Sequence, residues 1–156
     1  MELQNIKIIR AATFAERAGA CYVRIQAMAV KHHISLEREF DEHDTPETKY
    51  IIALDDVLPV ATCRLYPLDE RSMMAGRIVV LPEYRHHGLG SRMVLEAERW
   101  AAELGYQKVV LESRINKVKF YEKLGYVTSS DRVVHGDTFD CIHMEKAVLN
   151  RLRKEN

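Results

Sequence analysis

Six consecutive residues, Arg85-His86-His87-Gly88-Leu89-Gly90, carry the clearest chemistry in this chain. They lie between an apolar run, Ile78-Val79-Val80-Leu81, and a helical pattern that opens at Ser91. Two glycines one residue apart let the backbone turn sharply with its N–H groups pointing inward, and a helix beginning at Ser91 adds the positive end of its dipole. Such a loop can hold a pyrophosphate. The same Gly-x-Gly also serves ordinary tight turns. A dinucleotide fingerprint would need a third small residue at Met93, and a P-loop would need Gly-Lys followed by Ser or Thr. The loop has neither.

Other reactive residue types point to less. The histidines are two adjacent pairs, His32-His33 and His86-His87, and singles at His43, His135 and His143. Adjacent histidines in a strand face opposite sides, and no His-x3-His helical spacing with a carboxylate occurs, so no metal site is expected. Cys21, Cys63 and Cys141 are odd in number and far apart, without a Cys-x-x-Cys pair. That argues against a disulfide framework or thiolate zinc, and for a reducing cytoplasm.

Lys plus Arg and Asp plus Glu both number 23, so the overall charge calls for neither nucleic acid nor an anionic membrane. Acidic residues crowd one stretch, Glu37, Glu39, Asp41, Glu42, Asp44 and Glu47, and basic ones gather at Arg151, Arg153 and Lys154. Such runs are commonly solvated faces. The start of the chain, with Glu2, lacks the basic and apolar regions of a signal peptide, and no apolar run approaches spanning length. At 156 residues, 47% hydrophobic and 29% charged, the expectation is one soluble domain over 1–156, cytoplasmic and not embedded in a membrane.

Positioning the loop requires elements on both sides of it. Ile6 to Arg10 reads as a strand, and Thr13 with Glu16 forms a capping box that starts a helix. Phe14, Ala18, Cys21, Tyr22, Ile25 and Met28 recur at helical spacing and predict its buried stripe. His32 to Glu47 is polar and irregular, a surface loop with room for a short helix. Lys49–Leu54 and Leu58–Tyr66 read as a hairpin around Asp55-Asp56-Val57, followed by a strand from Met73 to Leu81.

Met93, Val94, Ala97, Trp100, Ala101 and Leu104 give the helix from Ser91 an apolar face, and Gly105 stops it. A strand at Lys108–Glu112, a helix at Val118–Leu124 ended by Gly125, and strands at Tyr126–Val134 and Phe139–Val148 around His135-Gly136-Asp137 complete the chain. The central strand–helix–strand unit should place its two strands parallel inside an otherwise antiparallel sheet. The expected class is therefore mixed α/β, mostly antiparallel with a central parallel pair and helices on both faces.

With the loop, its flanking strand and Phe120-Tyr121-Glu122-Lys123-Leu124-Gly125-Tyr126 in view, the chain resembles the GCN5-related N-acetyltransferase (GNAT) superfamily over about residues 6 to 148. Arg85 to Gly90 matches that family's Arg/Gln-x-x-Gly-x-Gly/Ala loop, and the Phe-Tyr-Glu-Lys-Leu-Gly-Tyr run matches its second signature. Within the family, Glu37-Arg38-Glu39-Phe40-Asp41-Glu42-His43-Asp44, the pair Gly76-Arg77 and the ending His143-Met144-Glu145-Lys146 are most similar to the ElaA-like branch.

The resemblance implies acetyl-CoA as co-substrate. It places the pyrophosphate on the backbone of Arg85, His86, His87, Gly88, Leu89, Gly90 and Ser91, with Arg85, His86 and Arg92 able to add positive charge. It lays the pantetheine arm along the edge of Ile78, Val79 and Val80, where an extended ligand can hydrogen-bond like an added strand. For that edge to be free, this strand must part from Lys108–Glu112 towards its end, and Pro82 removes a backbone donor just beyond. The acceptor is a primary amine of a small molecule or peptide, attacking the thioester directly. The Val80 N–H is placed to receive the oxyanion, and Tyr121 is the catalytic general acid for the departing sulfur. Tyr121 can equally be one of an aromatic pair packed under its helix.

Two departures qualify the likeness. Where many members carry a Glu on the loop strand this chain has Met74, Ala75, Gly76 and Arg77, so the general base stays unassigned among Glu112, His143 and a water relay. Arg114 and Lys117 stand where an Asn and an Ala often precede the Tyr. The acidic stretch, if it lines the entrance, would attract a cationic acceptor. A non-catalytic acyl-CoA binding or regulatory module of the same fold is the alternative, and homodimers, common in such a family, are compatible with the sequence.

Overall fold

The computed structural model describes residues 3, 5–136 and 138–148, without the side chains of 130–132. Glu2, Asp137 and the basic tail at Arg151, Arg153 and Lys154 lie outside the described residues. The elements in chain order are β1 (Ile6–Arg10), α1 (Phe14–Arg24), a π-helical turn (Ile25–Val30), α2 (Leu36–Glu39), β2 (Lys49–Asp55), β3 (Leu58–Pro67), β4 (Ser72–Val80), a 3-10 turn (Pro82–Tyr84), α3 (Leu89–Glu103), β5 (Lys108–Arg114), a 3-10 turn (Ile115–Lys117), α4 (Val118–Lys123), β6 (Val127–His135) and β7 (Asp140–Ala147). The fold is mixed α/β, with a mostly antiparallel sheet and one parallel pair, β4–β5.

The chain forms two compact units, Met1–Tyr66 with Arg77–Ala97, and Pro67–Gly76 with Glu98–Asn156, so β4 and α3 each contribute to both. In the first unit β1 pairs antiparallel with β2 from Ile6↔Asp55 to Arg10↔Ile51, and β2 with β3 from Lys49↔Leu65 to Asp55↔Leu58. Tyr50 to Ala53 and Val60 to Leu65 are buried without alternation, the mark of strands covered on both faces. Ala20, Tyr50 and Ile52 pack together with Ile9, Ala11 and Leu54 around them.

Helix α1 starts as its sequence demands. The Thr13 hydroxyl accepts from the Glu16 N–H at 3.1 Å, and the Glu16 carboxylate accepts from the Thr13 N–H at 2.9 Å. Its buried side corrects the expected stripe: Phe14 is 89% exposed and Tyr22 40%, while Gly19, Ala20, Val23 and Arg24 point inward. The cause is close approach. A Cβ on Gly19 would come within 3.0 Å of Pro59 Cγ, so the side of the helix that fits against β3 is the one with small residues.

The second unit holds β5–β7, antiparallel from Lys108↔Ala147 to Arg114↔Cys141, and β6 paired with β7 on its other side. Val109, Val110, Leu111, Tyr126, Met144 and Val148 are buried there. The parallel ladder of β4 with β5 is short: Ser72↔Lys108, Met73↔Val109 and Met74↔Val110. No helix among the described residues is long and apolar enough to cross a membrane.

Candidate active site

In the first unit β4 ends at Val80, the Pro82–Tyr84 turn follows, and the loop leads into α3. The Leu81 N–H donates to Val60 O at 2.9 Å, and the Tyr84 hydroxyl donates to the Asp55 carboxylate at 2.6 Å, so the chain entering the loop is fixed on both sides. Arg85 Nε donates back to Val80 O at 3.1 Å, joining the loop to the end of the strand it leaves.

The loop's shape differs in detail from the glycine-based expectation. The left-handed residues are His86, φ +66°, and Gly88, φ +80°; Gly90 does not have positive φ. Helix α3 opens at Leu89, two residues before Ser91, because the Arg92 N–H already closes a turn on Gly88 O at 3.2 Å. Gly88 thus caps the helix, and Gly90 lies in its first turn. The N–H groups of Leu89, Gly90 and Ser91 fall in the first turn, which has no intrahelical acceptors for them.

Left-handed residues at alternate positions followed by a helix N-terminus turn successive N–H groups toward one concavity, a geometry suited to anions. His86, His87 and Gly88 are exposed, Leu89 is buried, and Arg85, Gly90 and Ser91 are half-buried. A Cβ on Gly88 would meet nothing within 4 Å, so open space, not protein, lies against the loop there. These features fit a bound diphosphate.

The preceding strand carries a distortion. Arg77 has φ +46° inside β4, a conformation that costs a non-glycine residue about 1 to 3 kcal/mol. Its guanidinium donates to Glu39 O at 3.1 Å and to the Asp41 carboxylate at 3.2 Å, and lies 3.3 Å from the Glu39 carboxylate. Ile78, Val79 and Val80 follow, half-buried, and the β5 ladder has ended at Met74.

The acidic stretch divides in two: Glu37, Glu42 and Glu47 are exposed, as expected of a solvated face, whereas Glu39, Asp41 and Asp44 are bound by arginines. Arg24, fully buried, bonds Glu39 at 3.1 Å and Asp44 at 2.7 Å; Arg64, 3% exposed, bonds Asp41 at 2.8 Å and Asp44 at 3.0 Å. Arg77 completes three cations against the three carboxylates Glu39, Asp41 and Asp44. Burial alone would raise the Asp44 pKa, but hydrogen bonds from Arg24, Tyr50 and the Asp41 N–H hold it far below the usual carboxylate range. For Asp41 burial is likewise outweighed, chiefly by the Arg64 hydrogen bond. Burial, then the hydrogen bond its hydroxyl gives to the Asp44 carboxylate, pushes Tyr50 up to about 12. These charges are compensated within the protein. Sequence reading missed the network because its three arginines lie in three different elements; the signal was Arg24 and Arg64 standing inside apolar runs.

Tyr121 lies in the second unit, half-buried on α4. Its ring meets Phe120 edge-on at 5.0 Å and Tyr126 edge-on at 6.0 Å, so the aromatic packing anticipated for it is present. Tyr126 is buried and donates from its hydroxyl to Glu98 at 3.2 Å. Lys146 Nζ donates to Glu98 at 2.8 Å and to Leu124 O at 2.6 Å. Glu112, exposed, and His143, half-buried, stand opposite each other on β5 and β7. Arg114 places its guanidinium 3.5 Å from the Phe139 ring centroid, and Lys117 is exposed.

The model of the acetyltransferase (GNAT) family matches residues 11–126, which include the loop, the distorted strand and Tyr121. The chain belongs to this acetyltransferase family. A Lactobacillus plantarum protein of solved structure is 31% identical, with 94% of this chain and 100% of that one covered and a TM-score of 0.87. Escherichia coli ElaA superposes with a TM-score of 0.77 at 17% identity, over 90% of this chain and 99% of that one, a likeness of fold. A GNAT family acetyltransferase from Elizabethkingia anophelis, solved with acetyl-CoA bound, gives 0.70 at 16% identity, over 92% and 99%.

Proposed function

We propose that this GNAT acetyltransferase moves an acetyl group from acetyl-CoA to a primary amine of a small molecule or peptide by direct attack. The observation that carries the reading is the loop from Arg85 to Ser91, with left-handed His86 and Gly88 leading into the open first turn of α3. Main-chain N–H groups of His86, His87, Gly88, Leu89, Gly90 and Ser91 would hold the pyrophosphate, and Ile78, Val79 and Val80 would pair with the pantetheine amides. The end of the β5 ladder at Met74 supports this, since it leaves those three residues without a β5 partner.

In the transfer the neutral amine nitrogen bonds to the thioester carbon, and the carbonyl oxygen becomes an oxyanion received by a backbone donor such as the Val80 N–H. On collapse the carbon–sulfur bond breaks, Tyr121 gives its proton to the sulfur, and the attacking nitrogen loses one to a base or water. The protein's share is to position the two reactants and to supply that proton.

Thiol release from acetyl-CoA, measured with polyamines, aminoglycosides, amino acids and peptides, tests the proposal. Turnover with at least one amine, reduced about a hundredfold or more in Tyr121→Phe with coenzyme A affinity retained, is expected. Binding without release under every acceptor favours a non-catalytic acyl-CoA module, a reading that Met74, Ala75, Gly76 and Arg77, in place of a strand Glu, keep open.

A further inference from the structure

Arg77 combines two features that call for a common explanation: a left-handed backbone inside a strand, and a guanidinium whose acceptors are themselves anchored. Glu39 is 2% exposed and its carboxylate also takes Arg24, a fully buried residue, while Asp41 is bonded by Arg64. A strained conformation persists when its surroundings determine it from several directions. Here the Glu39 carbonyl, the Glu39 carboxylate and the Asp41 carboxylate converge on one side chain. A lysine has no planar fork with which to reach them together.

The next three residues, Ile78 to Val80, are those assigned to the pantetheine arm. We propose that Arg77 is a positioning residue: its clamp on Glu39 and Asp41 sets the distortion of β4 and thereby aims the N–H and C=O groups of Ile78–Val80 at the cofactor. The inference rests on the cofactor placement proposed above. The loop from Arg85 onward has anchors of its own: the Leu81 N–H on Val60 O, the Tyr84 hydroxyl on Asp55 and the turn into α3. Of these contacts the Arg85 Nε bond to Val80 O alone reaches back to β4, so loss of the clamp is expected to leave the loop in place.

That independence gives the test its form. Calorimetry on the full chain compares coenzyme A with adenosine 3′-phosphate 5′-diphosphate, a fragment that keeps the phosphates and lacks pantetheine. Arg77→Ala is expected to weaken coenzyme A about tenfold, the loss of one or two well-aimed hydrogen bonds, and to leave the fragment's affinity unchanged. Arg77→Gly accepts the left-handed backbone without strain but has no clamp, and is expected to behave like Arg77→Ala. Arg77→Lys, which keeps the charge and one contact, is expected to fall between and reads the same ratio should the smaller variants fail to fold.

Equal weakening of both ligands would reduce Arg77 to a general structural residue and overturn the proposal. So would native coenzyme A affinity in Arg77→Gly, which would show that backbone conformation alone suffices. A native protein that binds neither ligand contradicts the cofactor placement itself, an outcome separate from either of these.

Discussion

Each unit buries an ionic network, and the two are built to different ends. In the first, Arg24, Arg64 and Arg77 meet Glu39, Asp41 and Asp44, joining α1, α2 and the acidic loop to β3 and β4. In the second, one carboxylate, Glu98 of α3, takes Lys146 of β7 and the hydroxyl of Tyr126. The first network holds an irregular segment against strands and has no spare charge; the second anchors an aromatic ring that lies edge-on to Tyr121. In the crowded run of acids, Glu39, Asp41 and Asp44 are bound within the protein while Glu37, Glu42 and Glu47 face solvent. Buried arginines decide which of those charges solvent can see.

Removing one partner separates the two regions most sharply. Arg24→Met removes the fully buried cation that Glu39 and Asp44 share, leaving Glu39 to the partly exposed Arg77 and Asp44 to Arg64, and should cost about 3 to 5 kcal/mol, read by chemical denaturation. Lys146→Met should cost less, about 2 kcal/mol, because Lys146 is partly exposed and Glu98 keeps the Tyr126 donor. Equal losses would erase the distinction between a closed six-charge network and a single anchored carboxylate.

Acid and base act on the first region as well. Asp44 and Asp41 have folded pKa values below their unfolded ones, so the stability they contribute is fully present above about pH 4 and is lost as pH falls through their folded values. Asp44→Asn should flatten the acid limb of a stability–pH curve. Tyr50 shifts the other way. Raised to about 12 against about 10 when unfolded, it contributes stability below about pH 10 that is lost as pH climbs to 12. Tyr50→Phe should remove that alkaline limb and, through loss of the 2.5 Å bond to Asp44, cost about 1 to 2 kcal/mol near neutrality.

Much of the fold was legible in local pattern. The first strand, the Thr13–Glu16 capping box, the hairpin around Asp56 and the parallel strand–helix–strand unit all follow from periodicity and turn residues, and the structure has them. What escaped depends on contacts distant in sequence. Periodicity gave α1 a stripe of its largest apolar residues, yet the approach of Pro59 to Gly19 selects the small-residue side. Gly88 and Gly90 marked the loop correctly, but the second left-handed residue is His86, and a non-glycine in that conformation leaves no trace in composition. Arg77 escaped for the same reason: its acceptors are some forty positions earlier in the chain.

The central claim is that main-chain N–H groups at the start of α3 grip the diphosphate of coenzyme A. Backbone amide NMR of the native chain, titrated with coenzyme A, addresses it residue by residue. The largest shifts should fall on His86 to Ser91, followed by Ile78 to Val80. Coenzyme A binding that leaves the amides of 86–91 unmoved would contradict the account.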